Sequence, residues 1–151
     1  LGRKVGIATL TGFLFSFRLF SKFLLGPIIG VLSDKIGGQR TMIIFFISGS
    51  TSLMLLALSK TLGSITLAVI LSFLSDTGLG VVVASQVSDM VKTDEAKNQY
   101  ILSAFTNWID IGSALGPLVI FSLINEISFN SIFLGASVIL LLYALIIRRS
   151  M

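Results

Sequence analysis

Four ionisable side chains stand well inside long apolar runs: Arg18 and Lys22 in one, Asp76 in another and Asp110 in a third. A charge at the centre of a membrane helix costs about 2.5 to 3.5 kcal/mol on insertion scales, so such residues face a partner or a water-filled cavity. Their depths can be counted from the charged ends of their segments at ~1.5 Å per residue. Lys22 comes twelve residues before Asp34, Asp76 thirteen before Asp89 and Asp110 thirteen after Lys97, which puts all three roughly 18 to 20 Å deep. Arg18, one helical turn further on the same face, lies roughly 24 Å from that edge. The neighbours at helical spacing are small or polar: Thr11 and Gly26 with the two bases, Ser72 and Gly80 with Asp76, and Ser103, Asn107 and Ser113 with Asp110.

The chemistry open to this layer is binding. Asp76 or Asp110 can hold a proton, a cation or a cationic substrate, while Arg18 or Lys22 can meet an anionic group of a solute. The competing reading is mutual neutralisation, in which two acids and two bases at similar depth form structural ion pairs. Asn107 and its neighbour Trp108 are further candidate contacts for a solute, although a Trp near a polar face is more often a packing residue. The chain contains no His and no Cys. That removes imidazole bases, thiolate nucleophiles, disulfides and the usual zinc sites, and it implies no metal and no cofactor. An enzyme working through two carboxylates is the weakest reading. The net charge of +4 comes from Lys and Arg scattered through short connections. They form no basic stripe, so nucleic acid is not an expected partner.

The elements that position these residues follow from composition. With 54% hydrophobic residues and only 12% charged, the chain has too little polar surface to stay dissolved. Crossing a ~30 Å hydrocarbon core takes about 20 apolar residues in a helix, because every backbone polar group must be satisfied within the segment. Five windows qualify, at residues 5–32, 41–59, 62–88, 99–124 and 130–147, and predict an all-α integral membrane protein with one transmembrane domain across residues 1–151. Turns are expected at Ser33 to Gln39, rich in Gly and polar residues, and at Lys92 to Asn98. The opening residues lack the cleavage signature of a secretory leader, and the chain reads as part of a longer protein.

Five spans put the two chain ends on opposite faces of the membrane. Lys35, Arg40, Lys92, Lys97, Arg148 and Arg149 fall on one face, against Arg3, Lys4 and Lys60 on the other. The excess of basic residues marks the cytoplasmic side and predicts a cytoplasmic C-terminus in the cell membrane.

The stretch from Gly30 to Arg40, Gly-Val-Leu-Ser-Asp-Lys-Ile-Gly-Gly-Gln-Arg, resembles the loop signature of the major facilitator superfamily, Gly-x-x-x-Asp-Arg/Lys-x-Gly-Arg/Lys-Arg/Lys. Gly30, Asp34, Lys35, Gly37 and Arg40 carry the match, while Gly38 and Gln39 stand where the strongest versions are basic. Gly30 is expected to let a neighbouring helix approach closely, and Asp34 to cap a helix N-terminus or pair with Arg40. Gly112, Gly116 and Pro117 are similar to the Gly-x-x-x-Gly-Pro core of that family's fifth and eleventh helices. The same spacing also serves general helix packing. The trailing glycines of the antiporter form are absent, with Ile120 and Phe121 in their places. Gly78-Leu79-Gly80 reads as packing, since it lacks the strand-turn-helix context of a nucleotide loop. Gly26-Pro27 echoes Gly116-Pro117 three spans later, as inverted three-helix repeats would predict.

The resemblance implies five helices of a six-helix half bundle, preferably helices eight to twelve rather than two to six, with the first helix of that half missing. It further implies part of a secondary transporter moving a small solute by alternating access, completed by a missing half and coupled, if at all, to a proton or cation. In that family the helices matching windows one, three and four line or flank the cavity, which matches the placement of all four buried charges. The rival class is a polytopic membrane protein without transport, such as a scaffold or sensor subunit.

Overall fold

The computed structural model describes residues 2–90 and 95–149. The expected turn at 92–98 therefore lies partly outside the described residues, as do the side chains of Arg3, Lys4 and Lys97. Among the described residues the chain forms five α-helices and no strand: α1 Gly2–Ile36, α2 Gly38–Leu58, α3 Leu62–Met90, α4 Glu95–Leu123 and α5 Phe129–Arg149. All five are long and apolar enough to cross a membrane. At ~1.5 Å per residue, α2 and α5 just match a hydrocarbon core of ~30 Å, whereas α1, α3 and α4 exceed it and must tilt or project.

Apart from Ile29, the residues buried between helices are small. Ala57, Ala68, Val82 and Ala144 are among them, together with Ser21, Ser33, Thr41, Ser50, Ser52, Ser75, Thr77 and Ser137. The large side chains, such as Phe23, Leu67, Leu118 and Ile146, point outward. A soluble bundle has the opposite arrangement. In lipid, apolar side chains gain nothing by leaving hydrocarbon, so helices associate where small residues let backbones approach and hydroxyls find partners.

Two glycines show that approach. A Cβ on Gly78 of α3 would run into the Phe45 ring of α2, and one on Gly49 of α2 would stand 2.7 Å from Ser75 Oγ of α3. Ser75 Oγ in turn donates to the Phe45 carbonyl at 2.6 Å. On its other side α2 packs against α5, where Ser50 Oγ donates to the Ser137 carbonyl at 2.9 Å and Ser137 Oγ to the Ser50 carbonyl at 3.0 Å. α1 lies against α3, while α4 makes its main contact with α3, and that lightly. α1 and α4 run through Pro27 and Pro117.

The first connection is tighter than the expected turn of residues 33–39. Ser33–Ile36 continue α1 and Gly38–Arg40 already belong to α2, so Gly37 alone breaks the helical run. Its φ of 97° lies in the left-handed region, which a side chain would strain. Gly38 lies close to α3, where a Cβ would stand 2.7 Å from the side-chain amide of Gln86, which would have to shift. Gly30 is not a close-approach site: nothing lies within 4 Å of where its Cβ would stand.

Candidate functional site

Three of the four charges in the expected layer come together. On α1, Arg18 and Lys22 are one turn apart and share a face; on α3, Asp76 points back at them. Asp76 Oδ2 accepts from Arg18 Nη2 at 3.1 Å and lies 3.4 Å from Lys22 Nζ. The Arg18 guanidinium also sits 5.7 Å from the centre of the Phe73 ring, one turn before Asp76, a cation–π distance. Sequence reasoning missed Phe73, whose only signal was its i, i+3 spacing from Asp76. The cluster has two positive charges and one negative, so it carries an uncancelled positive charge.

These side chains remain 40%, 48% and 47% exposed for Arg18, Lys22 and Asp76. Asp76 borders two small hollows. One of about 170 Å³ is shared with Lys22, Thr77, Gly80 and Val81. The other, of about 180 Å³, is shared with Gly49, Ser72, Ser75 and Leu140 among others. Gly80 therefore borders a hollow with nothing near its Cβ position, whereas its neighbour Gly78 is the packing glycine.

Asp110 is not drawn into the cluster, and among the described residues it has no hydrogen bond or ion pair. The reason is the position of α4, which meets the bundle mainly along α3, and lightly, and has no buried residue in its apolar window. Its polar face, with Ser103, Asn107, Asp110 and Ser113, is exposed. So is Trp108, at 73%. Gly112 and Gly116 likewise have nothing within 4 Å of their Cβ positions.

The loop signature holds its charges apart. Asp34 makes no ion pair with Arg40, and α2 has no side-chain cap; Thr41 Oγ1 instead donates to the Gly37 carbonyl at 3.0 Å. The one-residue break separates the two charges by direction. Asp34 lines a hollow of about 340 Å³ with Gly38, Gln39, Ser85, Gln86 and Asp89, against α3. Arg40 turns to the opposite side, toward α5. Among the described residues no group of three potential metal ligands gathers.

A family model described as Major Facilitator Superfamily matches residues 3–150. No curated protein and no solved structure matches the chain.

Proposed function

Because the chain belongs to the Major Facilitator Superfamily, a family of membrane transporters, we propose that it forms part of a secondary active transporter that moves a small solute by alternating access. Arg18, Lys22 and Asp76 are the centre of its solute site. The observation that carries this reading is the half exposure of a charged triad deep in two membrane helices. Charges at that depth do not face hydrocarbon, so their open side borders water or a further protein surface. The exposed polar face of α4 needs the same cover. A second half of the transporter, across a water-filled cavity, supplies it.

The surplus positive charge of the triad favours a solute with an anionic group, which would compete with Asp76 for Arg18 and Lys22. Asp110, on the unpartnered face of α4, is left as the acid available to a coupling proton or cation. Asp34, facing the end of α3 across its hollow, acts on the rate of the conformational change. The C-terminus is cytoplasmic and the membrane is the cell membrane.

Uptake by the full-length protein in proteoliposomes, across anionic, zwitterionic and cationic solutes, tests the reading. Transported solutes should carry an anionic group; Arg18→Gln should abolish their uptake, and Arg18→Lys should keep part of it. Transport of cations alone, or normal uptake by Arg18→Gln, would overturn the assignment.

A further inference from the structure

At one end of the bundle, a groove of about 390 Å³ runs between α2 and α5, away from the charged triad. Its walls are Ile43, Ile44 and Ile47 from α2 and Leu141 and Leu145 from α5, and Arg40 and Arg148 stand at its mouth. Neither arginine has an ion pair or side-chain hydrogen bond among the described residues. No acid lines the groove, because Asp34 and Asp89 border the separate hollow against α3. Arg149 adds a further cation in an adjoining hollow that also includes Arg148.

Depth places the two arginines at a headgroup level. Arg40 is the third residue of α2 and Arg148 the second-last of α5, so both lie within roughly 3 Å of a helix end in spans about as long as the hydrocarbon core. From there the apolar walls run inward to Ile47 and Leu141, seven residues or roughly 10 Å. Two unpaired guanidiniums above an apolar slot match an amphiphile with a phosphate at the top and a hydrocarbon chain below. Guanidiniums recognise phosphate through paired N–H donors, and basic pockets between membrane helices suit anionic headgroups.

We propose that this groove binds an anionic phospholipid, its phosphate between Arg40 and Arg148 and one acyl chain along Ile43, Ile47 and Leu141. The lipid supplies a counter-charge to two arginines that have no ion pair among the described residues. The proposal requires that this end of α2 and α5 sit at a bilayer surface, and it holds for either orientation of the protein.

The test uses the full-length protein in nanodiscs whose two leaflets have the same composition, which makes the result independent of transport and of topology. Lipids retained after extraction are counted by native mass spectrometry from discs of phosphatidylglycerol mixed with phosphatidylcholine. The wild type should retain phosphatidylglycerol preferentially. Arg40→Gln or Arg148→Gln should lower that preference about fivefold each, the equivalent of ~1 kcal/mol per basic residue near an anionic surface. Lys60→Gln, at the other end of the bundle, should leave it unchanged. Thermal melting of the wild type alone, with either lipid added, reads the same preference if a variant fails to fold. Equal retention of the two lipids would overturn the proposal, as would equal stabilisation by inorganic phosphate or a dimer that closes the groove in pure phosphatidylcholine.

Discussion

One oxygen of Asp76 serves two cations, and the consequence of removing it depends on what borders the cluster. An ion pair open to water contributes about 0.2 to 1 kcal/mol, whereas breaking a sealed pair costs about 3 to 5 kcal/mol because a bare charge stays behind. Where the half-exposed side of the three side chains borders the proposed water-filled cavity, the first scale applies. Asp76→Asn should therefore insert and fold with a stability loss of about 1 kcal/mol or less, yet lose uptake because Arg18 and Lys22 are no longer held in place. Thermal melting and uptake of Asp76→Asn, Lys22→Gln and the double variant measure both parts. A loss of several kcal/mol that only the double variant restores would make the triad a structural pair and remove it from the solute site.

Among the helices, the contacts that matter are those of small residues, and here neighbouring glycines behave differently. Gly78→Ala would press a methyl group onto the Phe45 ring and should destabilise the protein by about 1 to 3 kcal/mol, the usual penalty of overpacking. Gly80→Ala, two residues on, meets nothing and should be neutral or slightly stabilising. Melting curves of the two variants, with Phe45→Leu added to Gly78→Ala to make room, test the contact; equal effects of the two alanines would contradict it. The sequence alone could not tell these glycines apart. Hydrophobic length revealed the five helices, because a span must be long and apolar whatever it packs against. Packing partners leave no such mark, since lipid and protein are equally apolar surroundings and the periodicity of a soluble amphipathic helix is missing. For the same reason Gly30 looked like a contact and proved open, while the serines that join α2 to α5 went unnoticed inside charge-free windows. Counting depth from the charged ends did bring Lys22 level with Asp76. It says nothing of direction around each helix, so it gives Asp110 a depth and no partner; sequence spacing likewise suggests a cap or an Arg40 pair for Asp34, and neither forms.

For the molecule as a whole, α2 and α5 meet reciprocally: each serine donates to the other's carbonyl across 87 residues of sequence. That is what counterpart helices of two inverted repeats do where they cross a shared pseudo-twofold axis. The Gly-Pro pairs of α1 and α4, 90 residues apart, fit nearly the same offset. The reciprocal crossing also fixes which ends belong together, because antiparallel α2 and α5 bring Arg40 and Arg148 to one end, beside Ile36. Orientation in the membrane then reduces to one choice. The basic residues Lys35, Arg40, Arg148 and Arg149 gather at that end, and Lys60 lies at the other, so the arginine end should face the cytoplasm. The chain has no cysteine, so single cysteines can be placed freely. Gly38 is half-buried against Gln86, whereas Gln39, Lys60, Glu126 and Arg149 are exposed and better placed for labelling. With a membrane-impermeant maleimide on intact cells, cysteines at Lys60 and Glu126 should label, and those at Gln39 and Arg149 should label only after permeabilisation. Labelling of Gln39→Cys from outside, with Glu126→Cys protected, would invert the molecule. The charge count would then have failed, while the joining of Arg40 and Arg148 at one end would stand.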